Sequence, residues 1–439
     1  MLSHALSSTA LLARRNLETF TQPTLQLKIQ SFAMLPANSD AASQSQSYEY
    51  KPLDLAKQQI RLITLKPGPA DCPVQCDLKT FDIDSQPPYL TLSYTWGPPS
   101  PTAFILVDGK HFEVRQNLYD FLLAFRNDGR NKEYIWIDQI CISQGHLGER
   151  NHQVQLMSKI YKHCLWVIIW LGYESRDAAV AFNALEMNSS LERYELLKTI
   201  LLHKYFGRMW VVQEMLLPPD ARVLCGDVWI EFRQLVNAIH DRPAGVLLGP
   251  EADNHSHFQV VGMYNVFRRH PYARYSVSRC ISKFAMHQCE DPRDMIYGFL
   301  GIVKSNRLVV DYTKGVQDVF AEAALIVVED GFERDYHDQL FWNEQPSWTE
   351  QPRTIQRDIS ALIWSMGLES SRSAIMAFLE DMSRAHWIGG NKITSAGFDS
   401  RLERWWFMCD DTKYYRDDSN FQATKPVKYT HECMLRNSI

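Results

Sequence analysis

The chain has 439 residues, 45% of them hydrophobic and 12% aromatic, with a formal net charge of −5. Such a length accommodates about two or three domains, and the aromatic content excludes a disordered chain. The slight acid excess argues against a nucleic-acid surface, and no apolar stretch reaches the roughly 18 residues that span a bilayer.

Nine cysteines, an odd number scattered along the chain, fit reduced thiols in the cytoplasm better than a disulfide framework. Cys72 and Cys76 lack a second Cys or His pair, so no metal site is expected. Residues 1–48 are rich in Ser, Ala and Gln. Arg14 and Arg15 among small residues resemble a mitochondrial leader; the alternative is a disordered extension on a cytoplasmic protein.

Residues 60–65 read as a first strand, 74–83 as an edge strand and 89–94 as a buried strand. The runs 104–107 and 111–115 flank Asp108 and Gly109, which predicts a hairpin. Asn117 is placed to cap a helix through Phe125, with Leu118, Phe121, Leu122 and Phe125 on one face. Next, 134–172 holds two apolar runs, 134–137 and 165–171, around a helical pattern of Val154, Met157, Ile160, Tyr161 and Cys164. Runs of this kind suit strands buried on both faces, joined by a crossover helix. The prediction is a βαβ unit in which 89–94, 134–137 and 165–170 are neighbouring, mostly parallel strands.

Helices are expected at 176–187, 191–203 and 205–217, the last with Phe206, Trp210 and Glu214 in one row. A second hairpin turns at Gly226 and Asp227, and further helices follow at 258–268, 295–302 and 316–329. Residues 336–353 read as a boundary before a small helical tail with Trp387, Trp405 and Trp406 as packing candidates. The expected fold is α/β, a mainly parallel sheet flanked by helices, with added hairpins and a helical C-terminal region. The chain divides into a leader (1–48), a core (49–217), a mostly helical extension (218–335) and a tail (336–439).

Ligands of parallel sheets bind beyond the carboxyl ends of the strands, which directs attention to a few side chains. Asp138 ends one strand and either lines a crevice or caps the following turn. Arg150 and Gln153 follow one helical turn apart; Arg150 either grips a phosphate or pairs with an acid such as Glu149. Ser93, Tyr94, Trp96 and Gly97 leave another strand with hydroxyls and aromatics: either Trp96 stacks on a ligand ring and Gly97 allows close backbone approach, or Trp96 is buried at a tight turn before Pro98 and Pro99. Glu214 shares its row with Trp210, so it is either paired with Arg208 or Arg150 or desolvated with a raised pKa. Cys141 has no recognisable catalytic context and reads as a small buried hydrophobe. Walker and GxGxxG loops are lacking, which argues against ATP-driven or Rossmann-cofactor chemistry.

Three blocks, YLTLSYTWG (89–97), WIDQICISQ with the following ER, Q, M and IY (136–161), and RMWVVQE (208–214), resemble the fungal heterokaryon-incompatibility (HET) domain. The lead-in IRLITLKPG, the hairpin VDGKHFEV with NLYDFL, and DPRDMIYGFLG with Asp311 and Tyr312 extend the resemblance over roughly 50–312. Gly145 and His146 depart from it, standing where the family has an acidic or Asn-rich turn. The family is distantly similar to Toll/interleukin-receptor (TIR) domains, some of which hydrolyse NAD. That resemblance implies a flavodoxin-like sheet, a role in non-self recognition and programmed cell death, and Glu214 as the catalytic glutamate of a W-x-x-x-E pattern beginning at Trp210. It implies NAD as substrate rather than cofactor, and self-association or another incompatibility protein as partner. The competing implication is a non-catalytic module that signals by self-association.

Overall fold

The short apolar runs form nine strands of one sheet: β1 (Gln59–Leu65), β2 (Gln75–Asp82), β3 (Tyr89–Tyr94), β4 (Thr102–Val107), β5 (Lys110–Arg115), β6 (Tyr134–Trp136), β7 (Val167–Trp170), β8 (Ala221–Cys225) and β9 (Val228–Glu231). Their order is β5-β4-β2-β1-β6-β3-β7-β8-β9. This computed structural model describes residues 46–185, 190–240, 256–269, 275–303, 307–337, 351–375, 379, 393–400, 404–409 and 412–416. Residues 1–45, Trp387 and 338–350 lie outside them, and with these most of the leader and of the expected boundary.

The predicted central unit forms: β3 lies between β6 and β7, parallel to both, and β8 continues the parallel set. Every residue of β3 and of β7 is buried, as strands covered on both faces require. The sheet as a whole is mixed rather than mainly parallel. Antiparallel pairs join β5 to β4, β2 to β1, β1 to β6, and β8 to β9. Short connections can join only antiparallel neighbours, and β1 pairs with β2 along its whole length. On its other side β1 runs against β6, meeting it at Ile63 and Ile135. Parallel pairing joins β6, β3, β7 and β8 and recurs between β2 and β4, so the expected mainly parallel, flavodoxin-like sheet is not what forms. Nor is β2 an edge strand, because it also pairs with β4. The Asp108-Gly109 hairpin forms as predicted, with φ of 50° and 78°.

The first helix, α1 (Gln116–Phe125), buries Leu118, Phe121, Leu122 and Phe125, the predicted face. Asn117 does not cap it. Its side chain instead donates to Thr95 O at 2.5 Å and accepts from Trp170 Nε1 at 3.0 Å, tying α1 to the ends of β3 and β7. A single turn, α2 (Asp138–Cys141), follows β6, and the crossover is made by α3 (Leu147–His163). His146 caps α3, its Nδ1 accepting from Glu149 N at 3.0 Å, so the departure at this turn still supplies a cap.

The stretch 205–217 is not one helix. A 3-10 turn, Lys204–Gly207, and α4 (Val211–Leu216) are separated because the backbone between them pairs elsewhere. Met209 N donates to Gln288 O at 2.8 Å and Gln288 N to Gly207 O at 2.7 Å. That bridge brings 288–302 against the sheet's helical layer. Within it, a methyl group at Gly301 would meet Gln213 Oε1 at 2.4 Å, Ser158 Cβ at 2.7 Å and Leu217 Cδ1 at 2.8 Å. Gly301→Ala should therefore lower stability by about 1–3 kcal/mol, the usual effect of overpacking, as read by thermal unfolding. An unchanged melting temperature would show that this junction gives way.

The tail is not purely helical. It contains α5 (Gln351–Ser365) and a three-stranded antiparallel sheet, β10 (Ile393–Asp399), β11 (Arg404–Cys409) and β12 (Thr412–Arg416). Aromatic and β-branched residues favour strands here. Trp405 is buried as expected, its ring 5.7 Å from that of Phe320.

Candidate functional site

A cleft of about 960 Å³ opens beyond the carboxyl ends of β3 and β6. Trp96 and Gly97 reach it from the end of β3, Asp138 from α2, Arg150 from α3, and Trp210 and Glu214 from the start of α4. These six residues of the sequence reading converge on one site. Three others stand apart from the lining. Ser93 lies beneath it, hydrogen-bonded to Glu214. Tyr94 is buried in the core, though its carbonyl accepts from Arg208. Gln153 turns away, donating to Gln59 O at 2.7 Å.

Glu214 is only 3% exposed. Burial pushes its carboxyl up to about 6, against the pull of Arg208 and Ser93 and with the repulsion of Asp138 added. Arg208 approaches to 3.8 Å, and Ser93 Oγ also meets Tyr205 OH at 2.6 Å. The carboxylate is thus both in the cleft and beside an arginine, so the two alternatives of the sequence reading coexist. The four-residue spacing that puts Trp210 and Glu214 together survives, with Glu214 N donating to Trp210 O at 3.2 Å. Phe206 falls out of the row because the 3-10 turn intervenes.

Asp138 accepts from Trp96 Nε1 at 2.7 Å and from Gln139 N at 2.7 Å, serving the cleft wall and the turn at once. Burial raises its pKa while those donors oppose the change. Gly97 has φ of +75°, the left-handed region that favours glycine. Its carbonyl accepts from Arg115 at 2.7 Å, and that guanidinium lies 5.0 Å over the Trp96 ring. Cys141 is buried and pushed up to about 12 by its surroundings, which leaves it a protonated thiol.

The opposite wall comes from residues with no assigned role in the sequence reading. Asp294 accepts from Trp210 Nε1 at 3.0 Å and from Tyr312 OH at 2.5 Å. Burial raises its carboxyl to about 6. Tyr312 carries the Arg150 guanidinium 4.1 Å from its ring centre. The signal was present in DPRD (291–294) and Asp311-Tyr312, charged residues at a tight turn. Nothing local joins that turn to Glu214; the bridge between Arg208 and Gln288 does. Among the described residues no His/Cys/Asp/Glu cluster has the makings of a metal site. No described helix is long and apolar enough to cross a membrane.

Residues 89–214 match the family model "Heterokaryon incompatibility protein (HET)". The chain is also 23% identical, over 377 residues, to "Heterokaryon incompatibility protein 6, OR allele" of Neurospora crassa. That alignment covers 67% of this chain and 55% of the relative, so the chain spans little more than half the relative's length. No solved structure matches. The segment that supplies β3, β6, β7 and Glu214 is therefore similar to the heterokaryon incompatibility proteins.

Proposed function

We propose that this chain acts in fungal non-self recognition and cell death, and that it does so by hydrolysing NAD in the cleft. The observation that carries the chemical part is Glu214: a desolvated carboxylate in a cleft walled by Trp96 and Trp210, with arginines around it. Cleavage breaks the bond between nicotinamide nitrogen and ribose C1′, and water supplies the oxygen that replaces it. The products are nicotinamide, ADP-ribose and a proton. Positive charge develops on the ribose as the bond lengthens, and an ionised Glu214 stabilises it without reorganising. The step therefore needs the carboxylate, not the acid. Because its pKa is raised to about 6, the rate falls as pH drops through that value and is maintained above it.

The test is nicotinamide release from NAD by the purified protein, alone and clustered on a support, between pH 5 and 8. Release that fades below pH about 6 is expected. No release in either state defeats the reading. A second reading, a self-association module without catalysis, draws on the same residue, since Arg208 and Ser93 also suit a carboxylate that merely locks β3 to α4.

A further inference from the structure

Four arginines line the cleft: Arg115, Arg150, Arg208 and Arg293. Arg293 is fully engaged, with two bonds to the Asp291 carboxylate and further bonds to Tyr312 O and Lys314 O, both at 2.8 Å. Arg208 donates to Tyr94 O and faces Glu214, and Arg115 donates to Gly97 O. Arg150 is different. Its guanidinium stacks on Tyr312, its Nε is buried without a partner, and no acceptor among the described residues takes a hydrogen bond from it. Neighbouring carboxylates attract it without accepting a hydrogen bond from it: Asp291 is bonded to Arg293, and Asp294 to Trp210 and Tyr312. Glu149, next in sequence, belongs to Arg61.

A buried guanidinium donor left without an acceptor is costly, and a planar fork suits a phosphate better than any single carbonyl. The stacking fixes the plane of that fork before a ligand arrives, which lowers the ordering needed to bind one. We infer that Arg150, held on the Tyr312 ring, is the phosphate-binding arm of the cleft, and that the ligand is a nucleotide bearing a 5′-phosphate chain. This rests on the cleft being the ligand site proposed above, but not on any bond being cleaved there. The platform, Tyr312, lies outside the HET-matched residues 89–214, so the phosphate subsite needs the later part of the chain.

The test is calorimetric titration of the full chain with ADP, adenosine and inorganic phosphate, compared with Arg150→Ala and Arg150→Lys. The wild type should bind ADP at least about tenfold more tightly than adenosine. Arg150→Ala should weaken ADP by about ten- to a hundredfold, the loss of a charge-assisted contact, while leaving adenosine unchanged. Arg150→Lys, which keeps the charge without the fork, should regain only part. If Arg150→Ala does not fold, the ADP-to-adenosine ratio of Arg150→Lys decides the matter in the same way. Equal binding of ADP and adenosine by the wild type, no ADP binding, or a folded Arg150 variant with undiminished ADP preference would overturn the inference. ADP binding that depends on Arg150, without nicotinamide release from NAD, would uphold it and defeat the hydrolase reading alone.

Discussion

Glu149→Gln should cost about 3–5 kcal/mol of folding stability, the effect of stranding a buried charge. Arg61 is 1% exposed and donates to Glu149 twice, Nη1 to Oε1 at 2.5 Å and Nη2 to Oε2 at 3.0 Å. It also donates to Cys141 O at 3.0 Å and Lys51 O at 2.7 Å, and stacks 4.7 Å from the Tyr50 ring centre. Glu149 takes a further bond from Ser143 N at 2.7 Å. Burial alone would raise its carboxyl, yet the bonds from Arg61 and Ser143 outweigh burial and hold it below the usual range. A depressed native pKa contributes stability above the ordinary carboxylate range and loses it as pH falls through the native value. The gap between wild type and Glu149→Gln should therefore be full at pH 7 and close in acid. Denaturant unfolding at several pH values reads it, and a loss under about 1 kcal/mol at pH 7 would place this pair among ordinary surface bridges. The pair anchors the start of α3 to β1, on the residue just before Arg150.

That pairing also shows where the sequence stops being legible. Glu149 and Arg150 are adjacent, so an ion pair between them is the natural guess from order alone. The actual partner, Arg61, is 88 residues away on β1. The central strands were readable because each is a short, largely apolar run, and burial on both faces needs little more. The direction of β1 against β6 was not, since it rests on a long-range pairing, Ile63 with Ile135, that no local pattern announces. Half of the cleft shared that fate. Trp96, Asp138 and Glu214 could be placed from strand ends and helical spacing, which are local rules. Asp294 and Tyr312 depend on one backbone bridge at Arg208, the same bridge that breaks the expected helix at 205–217. Asn117 was misread for a related reason: a good cap residue can serve a distant carbonyl instead.

Glu214→Gln should reduce nicotinamide release from NAD by about a hundredfold or more, the usual effect of removing one preorganised stabilising group. The swap keeps the shape of the side chain and removes its charge, so packing against Trp210 and the bond to Ser93 can persist. Stability should respond in the opposite sense to Glu149→Gln. Glu214 is raised from 4.5 to about 6, so its surroundings disfavour the charged form more than Arg208 favours it. A raised native pKa means that the native state holds its proton longer than the unfolded chain does. Stability is then lost as pH rises from the unfolded value to about 6, and stays lost above it. The shift amounts to about 2 kcal/mol at pH 8, which a neutral glutamine does not incur. Arg208 is left without its counter-charge but is 22% exposed, in contact with solvent, and keeps its bond to Tyr94 O. The variant should therefore melt at or above the wild-type temperature at pH 8, and the difference should vanish towards pH 4. In a fungal host, wild-type expression should arrest growth and Glu214→Gln should not. A well-folded variant that still releases nicotinamide at the wild-type rate would remove Glu214 from the chemistry. One that melts far below wild type at pH 8 would instead make Glu214 a structural clamp between β3 and α4, and leave the cleft to the self-association reading.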